Sequence, residues 1–398
     1  MRRTIWIIFI CLGWIISLAQ NVRVEWLKQL EIPPKKNCRV PIFSPDGKYL
    51  SFEIHDNENA YLYLYDIATD RFVQLGKTEE AAQTGMFGTL TRRGTEFTGH
   101  ITWWYDREEE SLVFDFVHTP TFGRRVLYQG WIDEGESIEK FRNREFDTDV
   151  YEKYDRMRGI TIVRYPGLSH KSVNGIPWVV FADKQSLYLF NHGRYDLPVK
   201  ITSPTGLWAD LMAQFSPDDR RLVFIRDSRE NTDIGLITLR ATSAGLSKIN
   251  EELIISGKAI EVSPAWSPNG RWIAYFSDKG HSRNFSIWIY ELETGKTYPV
   301  VDNVEVTEDR RQTPTWVGNY GLIFVRRDIK KGYPIMYYDL QTRREILVRT
   351  GTVNNLSTTV HQLSGREFLL AFTARGQENT EQEEYIWTKL YLAKLIID

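Results

Sequence analysis

The chain has 398 residues, of which 42% are hydrophobic and 13% are aromatic, so it is long and apolar enough to bury a large core. Its formal net charge is −2 and its Lys and Arg residues are scattered, so we do not expect it to bind nucleic acid. Two cysteines are present, Cys11 and Cys38, and we expect the first to be lost with a cleaved leader. No disulfide can then form within the remaining chain.

The first residues have the pattern of a secretory signal peptide. Arg2 and Arg3 precede an apolar run over residues 5–18, and the small residues that end it are typical of a cleavage site. We therefore predict a signal peptide at residues 1–19, cleavage near Ala19, and a periplasmic or secreted protein that contacts the membrane only transiently. An uncleaved anchor is the alternative, although the run is shorter than the roughly 20 residues that span a bilayer.

One short pattern recurs along the rest of the sequence. In each copy an aromatic residue is followed by a turn, an aliphatic and aromatic run, and a polar residue at a constant spacing. The four clearest copies run from Phe43 to His55, from Phe215 to Asp227, from Trp266 to Asp278 and from Trp316 to Asp328. Weaker copies occupy residues 103–114, 171–183 and 363–372. An internal period of roughly 40 to 50 residues predicts a solenoid or a propeller.

Each copy predicts a four-stranded antiparallel meander. In the clearest copy, the Pro and Gly of WSPNG at residues 266–270 favour a tight turn. Strand-forming runs follow at 272–276 and 286–292, a second turn lies at 293–296, and residues 297–301 predict a short edge strand. Because one meander cannot bury both of its apolar faces, radial stacking of the copies predicts an all-β fold, a β-propeller with four-stranded blades.

The spacing of the copies sets the predicted blade number. The units start near residues 40, 100, 170, 212, 263, 313 and 359, which favours seven blades and leaves six as the alternative. Residues 20–398 then form one domain, with insertions at about residues 76–98 and 134–168 and a connector at 349–359.

The last unit predicts a third strand at residues 385–392 but leaves little room for a fourth. Residues 22–30 read as a strand that precedes the first unit. We therefore predict that this N-terminal strand pairs with the C-terminal blade and closes the ring. Such closure removes a strand edge that would otherwise invite association.

The motifs FSPDG at residues 43–47, FSPDD at 215–219 and WSPNG at 266–270 resemble the TolB-type β-propeller repeat of bacterial envelope proteins. The resemblance covers about residues 22–398. It implies an exported propeller that binds an envelope protein or a peptide. The same repeat also occurs in the propeller halves of prolyl-oligopeptidase-like peptidases and in oligogalacturonate lyases, so it does not choose a function. The α/β domain that precedes the propeller of TolB is not expected here, because only about 20 residues separate Ala19 from the first copy.

Two sets of polar residues are candidates for a ligand-binding site. His55, Asp227, Asp278 and Asp328 hold equivalent positions in their copies, where they either line a central channel or cap the turn after the second strand. His55, His281 and His361 lie in or near loops or strand starts, and no two of them have metal-ligand spacing. We predict no catalytic residue, no metal site and no cofactor.

The motifs that are missing favour a binding function. The chain lacks the Gly-x-Ser-x-Gly motif and the extra length of a serine peptidase domain. The expected protein is a monomeric, non-enzymatic scaffold for an envelope protein or a peptide. The alternative is a propeller enzyme that acts on polysaccharide, as the lyases with this repeat do. Convergent His and carboxylate side chains in the axial pocket would favour that enzyme.

Overall fold

The computed structural model describes residues 22–32, 36–55, 59–75, 97–106, 110–119, 126–133, 135–136, 138, 163–168, 178–191, 198–228, 230–242, 245–281, 284–307, 312–377 and 387–398. The predicted signal peptide and most of both predicted insertions lie outside these residues. The described ranges contain no α-helix, and accordingly no helix that could cross a membrane.

The described strands form seven blades around one axis, which confirms the predicted β-propeller and its blade number. Six blades are four-stranded antiparallel sheets, and the second has three strands within the described residues. The first four blades contain, in chain order, β2 (Asn37–Phe43), β3 (Tyr49–His55), β4 (Ala60–Asp66) and β5 (Arg71–Leu75); β6 (Phe97–Asp106), β7 (Ser111–Thr119) and β8 (Val126–Asp133); β9 (Val163–Leu168), β10 (Trp178–Asp183), β11 (Ser186–Asn191) and β12 (Val199–Lys200); and β13 (Ala209–Phe215), β14 (Arg221–Asp227), β15 (Thr232–Thr242) and β16 (Gly245–Ile255).

The last three blades follow the same meander. They contain β17 (Glu261–Trp266), β18 (Trp272–Ser277), β19 (Phe285–Glu291) and β20 (Lys296–Val304); β21 (Thr315–Val317), β22 (Gly321–Val325), β23 (Ile335–Asp339) and β24 (Arg344–Leu347); and β25 (Thr352–Ser364), β26 (Glu367–Gln377), β27 (Lys389–Ile397) and, from the N-terminus, β1 (Val22–Leu30). Buried aliphatic and aromatic side chains fill the space between neighbouring blades.

Because each blade is a meander, its connections alternate between two faces of the ring. We call the face with the turns between first and second and between third and fourth strands the hairpin face. The opposite face carries the loops between second and third strands and the connections from blade to blade. We call it the loop face.

Strand β1 closes the ring as predicted. It pairs antiparallel with β27, from Val22 opposite Ile397 to Leu30 opposite Leu390. The third strand of this blade was predicted from residue 385, whereas β27 starts at Lys389 and residues 387–388 precede it; residues 385–386 lie outside the described residues. Thr388 instead bonds to the neighbouring blade, where its backbone N and its Oγ1 lie 3.3 Å and 3.0 Å from Asn37 Oδ1.

Three predicted non-strand segments were wrong in the parts that the structure describes. Residues 352–359, predicted as a connector, belong to the inner strand of blade 7. The strand tolerates Asn355 because this fully buried amide accepts from Thr352 Oγ1 at 2.6 Å and donates to Tyr333 O at 2.9 Å. Residues 97–98 and 163–168, predicted as insertion, are strand residues of β6 and β9.

The recurrent turn on the hairpin face is held by the same hydrogen bonds in three blades. In blade 5, Ser267 Oγ donates to Asn269 Oδ1 at 2.8 Å and accepts from Trp272 N at 2.9 Å. Ser44 with Asp46, and Ser216 with Asp218, repeat this arrangement. The Ser and Asx of the motif are therefore turn-forming residues, because their side chains satisfy backbone donors that the tight reversal leaves unpaired.

The aromatic residue that opens the motif joins neighbouring blades. Trp316 Nε1 donates to Ala265 O of blade 5 at 3.0 Å, and Trp266 Nε1 donates to Gln214 O of blade 4 at 3.3 Å. In each case the acceptor is the carbonyl just before the aromatic residue of the preceding blade. Between blades 1 and 2 a serine relays the bond: Trp103 Nε1 donates to Ser51 Oγ at 3.2 Å. Ser51 Oγ then donates to Ile42 O at 3.0 Å.

The inner strands of four blades share a bulge that the sequence did not predict. Val40, His100, Met212 and Ser263 have φ of 48°, 55°, 54° and 56°. Each lies where the pairing with the second strand shifts register. A positive φ is unfavourable for a β-branched residue such as Val40, so the surrounding sheet must impose it.

We expect Trp316→Phe to lower the free energy of unfolding by about 1–3 kcal/mol, because it leaves the carbonyl of the buried Ala265 without its donor. Chemical denaturation of a chain that starts at residue 20 measures the change. Trp26→Phe is the control, since Trp26 is 40% exposed. Equal, negligible losses for both variants would contradict a stabilising role for the bond between blades.

A variant that starts at residue 32 is expected to melt at lower temperature and to aggregate, because removal of β1 exposes the paired edge of β27. A variant that starts at residue 20 is the control and should melt as a monomer. Light scattering during thermal unfolding distinguishes the two. A shortened chain that stays monomeric and equally stable would show that β1 is dispensable.

Candidate functional site

The six sequence-predicted site residues do not come together, since they lie on both faces of the ring. His361 in β25 lies near the hairpin face, where its ring packs on the turn of blade 1. A Cβ on Gly47, whose φ is +70°, would lie 2.3 Å from His361 Cδ2. Burial lowers the pKa of His361, opposed by the charge of Asp46. The His361 ring is thus in contact with the turn of blade 1.

The remaining five lie on the loop face, and His55 belongs to a link between blades. His55 Nε2 lies 2.7 Å from Glu53 Oε2, and the other oxygen of Glu53 accepts from His100 N at 3.0 Å. Glu53 is 2% exposed, and His100 is the bulged residue of blade 2. The sequence analysis did not single out Glu53, because in the sequence it is only one polar residue within a predicted strand.

The aspartates that follow the second strands hold backbone groups. Asp278 Oδ1 accepts from Ile260 N at 2.8 Å, and Asp328 Oδ1 accepts from Lys330 N and Lys331 N at 3.1 Å and 3.2 Å. Asp227 ends β14, opposite Ala209 and Thr232. The contacts of Asp328 are those of a turn-capping residue, whereas Asp278 holds the backbone just before β17, 18 residues earlier in the chain. Ligand binding by these aspartates stays a prediction.

Two cavities on the loop face contain three of the predicted residues. The first, of about 480 Å³, lies beside the connection between blades 4 and 5; we call it the blade 4–5 cavity. Its lining includes Lys258, Glu261, Tyr275, Asp278, Lys279 and His281. The second, of about 830 Å³, lies beside blade 6 and includes Asp328. There Arg326 already forms ion pairs with Asp302 and Glu345, so the main charge of the second cavity is neutralised within the protein.

Glu261 distinguishes the blade 4–5 cavity. Its side chain is buried, with 3% of the residue exposed, and its Oε1 accepts from Ser277 Oγ at 3.2 Å. Its Oε2 has no hydrogen-bond partner among the residues that the structure describes. A buried carboxylate without full pairing is costly, so it is retained only where the fold tolerates the cost or a ligand removes it.

The surroundings keep Glu261 partly protonated near neutral pH. Burial raises its pKa to about 7, and the charges of Asp233 and Asp278 act in the same direction. The Ser277 hydroxyl and the Lys279 ammonium oppose this rise. Burial also raises the pKa of Asp233, although its Oδ1 accepts from Gly257 N at 3.2 Å.

The cavity wall carries charge of both signs. Lys279 Nζ lies 5.0 Å from the ring centroid of Trp288, which holds the ammonium at the side of the cavity. Within the described parts of the chain, no three His, Cys, Asp or Glu side chains are close enough together to hold a metal ion. The arrangement provides an enclosed carboxylate that can accept a hydrogen bond from a ligand or form an ion pair with a cationic group of the ligand.

Comparisons with known proteins establish the fold of the chain and nothing finer. No protein-family model and no curated protein matches it. Among solved structures, an oligogalacturonate lyase from Vibrio parahaemolyticus has a TM-score of 0.56 at 13% identity, with 94% of this chain and 96% of that chain covered. A prolyl endopeptidase has a TM-score of 0.50 at 13% identity, and 91% of this chain matches 50% of its length.

A protein assigned as TolB from Agrobacterium tumefaciens is also similar. It has a TM-score of 0.38 at 13% identity, with 96% of this chain and 99% of that chain covered. That score is too low to support an inference about function. The sheet topology and the similarity to the lyase give the chain the β-propeller fold that its resemblance to TolB-type repeats implied.

Replacement of Glu261 by Gln should change how stability depends on pH. The pKa of Glu261 in the folded state is about 7, above the ordinary value of 4.5. Between pH 4.5 and 7 the folded state therefore holds a proton that the unfolded state has lost. The contribution of Glu261 to the stability of the fold falls as the pH rises through this range. Above pH 7 the buried charge costs on the order of 1–3 kcal/mol. We expect E261Q to be more stable than the native chain at pH 8 and equally stable near pH 4.5.

Denaturation curves across this pH range provide the measurement. Glu230→Gln makes the same charge change at an exposed position of the loop face and should follow the native curve. Parallel pH profiles for the native chain and E261Q would show that Glu261 does not titrate abnormally.

Proposed function

We propose that this chain is an exported, non-enzymatic β-propeller that binds a protein or a peptide of the bacterial cell envelope. The observation that carries the proposal is the blade 4–5 cavity, a recess on the loop face with a buried and incompletely paired carboxylate. Recesses of roughly 300–1,000 Å³ with a few convergent polar groups are typical binding sites. The blades supply a rigid frame, and the connections on the loop face supply the contact residues.

The rest of the proposal concerns location and assembly. The pattern of residues 1–19 supports export and cleavage near Ala19, which would leave the propeller in the periplasm or outside the cell. Closure of the ring by β1 covers the edge of β27, which supports a monomer. Asp278 and His281 contribute to the proposed site because they line its cavity.

A polysaccharide-active enzyme remains the second candidate, on one specific observation. A carboxylic acid with a pKa of about 7 is suited to proton transfer near neutral pH, and Glu261 has that property inside a cavity. The fold of the lyase from Vibrio parahaemolyticus is compatible with this candidate but does not favour it, because the similarity concerns the fold only.

Site-specific photo-crosslinking in the bacterial envelope tests the scaffold. A photoreactive amino acid placed at Lys258, on the rim of the blade 4–5 cavity, should form an adduct with one envelope protein. The same substitution at the exposed Glu293, in a turn on the hairpin face, is the matched control and should give no adduct. The signal should disappear when an excess of unlabelled mature protein competes.

Two outcomes would contradict the proposal. Equal adducts from both faces would indicate contact without a defined site. Release of new reducing or unsaturated ends from envelope polysaccharides by the native chain, but not by E261Q, would replace the scaffold with the enzyme.

A further inference from the structure

Comparison of two blades shows what the blade 4–5 cavity is built to receive. Asp210 in blade 4 and Glu261 in blade 5 stand at the same distance before the aromatic residue that ends the inner strand, Phe215 or Trp266. Both carboxylates are buried, at 0% and 3% exposure. The repeat therefore places an acidic side chain at one equivalent inner-strand position in both blades.

The two blades treat this carboxylate differently. Asp210 lies opposite Arg226 in the strand register, and the guanidinium binds it in a bidentate manner, with Nε to Oδ1 at 2.7 Å and Nη2 to Oδ2 at 2.9 Å. Glu261 lies opposite Ser277, at the position equivalent to Arg226. A serine hydroxyl reaches one carboxylate oxygen only, so blade 5 supplies no cation where blade 4 supplies a guanidinium.

The charges around Glu261 favour a cation from outside. Asp233 of β15 and Asp278 after β18 both add negative potential at its carboxylate. Lys279 opposes them, while Tyr275, Lys258 and His281 complete the titratable groups of the cavity wall. A planar guanidinium matches both oxygens of a carboxylate, and an ammonium matches one or both less specifically.

We propose that the blade 4–5 cavity binds a guanidinium or ammonium group and that Glu261 receives it as Asp210 receives Arg226. The inference rests on the proposed function, because a basic side chain of a bound peptide is the source that a peptide-binding propeller would meet. A volume of about 480 Å³ is large enough for such a side chain together with adjoining backbone. Binding of the cation stabilises the ionised form of Glu261 and releases its proton.

Calorimetry with short blocked peptides tests this directly. The probe is acetyl-Gly-Arg-Gly-amide, and its matched control is the citrulline peptide, which has the same shape and no charge. We expect the citrulline peptide to bind at least about tenfold more weakly, since the charge-assisted pair contributes more than a neutral hydrogen bond. Free methylguanidinium distinguishes a peptide side chain from a small free cation as the ligand. Weaker binding of methylguanidinium than of the Arg peptide supports a peptide site. Equal binding would show that the cavity binds the cation without recognising a peptide, and would overturn only that part of the proposal.

Three variants assign the effect to Glu261. E261Q should lose at least about tenfold in affinity for the Arg peptide, and Glu230→Gln should lose nothing. Ser277→Arg introduces the guanidinium that blade 4 already contains, so it should block the peptide and raise the melting temperature. If S277R does not fold, E261Q decides the question, because Gln keeps the shape of the side chain.

The pH profile provides an independent readout. Affinity for the Arg peptide should fall by up to about tenfold for each pH unit below 7, because Glu261 must lose its proton. Glu230→Gln should keep this dependence and E261Q should abolish it. Equal affinities for Arg and citrulline peptides, or unchanged affinity in a folded E261Q, would overturn the cation site. If the cation site is overturned, crosslinking to an envelope protein at Lys258 would still support the scaffold function. If the Arg peptide binds tightly but no crosslink forms at Lys258, the scaffold function is overturned and the cation site stands.

Discussion

The hydrogen bond from the indole of one inner strand to the carbonyl of the preceding inner strand is the constraint on which this propeller depends. A blade can slide against its neighbour while apolar side chains remain in contact, because hydrophobic packing has little directional preference. The indole N–H of Trp316 or Trp266 has a preferred direction and a single acceptor, so its hydrogen bond fixes both the position of one blade along the ring axis and its rotation relative to the preceding blade. Ser51 transmits the same constraint from Trp103 to Ile42, which shows that the acceptor position is maintained even when the direct bond is not made.

Much of the fold could be predicted because the repeat places side chains with defined local roles. Ser44 and Asp46 form the turn of blade 1, their counterparts form the same turn in blades 4 and 5, and the aliphatic run that follows each turn forms a strand. The inner-strand bulges could not be predicted, since Val40, His100, Met212 and Ser263 share no side-chain property. Their conformation is set by the sheet, and a sequence does not display such a tertiary effect locally.

The candidate site was predicted only in part for a related reason. Asp278 and His281 follow the second strand, and they could be singled out from the sequence because polar residues there end an apolar run. Glu261 and Ser277 lie inside strands and become informative only when their partners across the register are known. Ser277 is notable because Arg226 holds the equivalent position in blade 4. This difference is seen only when the two blades are compared strand by strand. Blade 5 thus differs from blade 4 by the absence of one guanidinium beside an equivalent buried carboxylate.

The pairing of β1 with β27 joins the two ends of the chain within a single blade. During synthesis the ribosome releases β1 before the strands of blades 1 to 6, and β27 after them. Those blades can form hairpins as they emerge, but the ring stays open until β27 is available to pair with β1. The last blade therefore forms only after synthesis has passed β27, and a chain interrupted before that strand leaves β1 without its pairing partner.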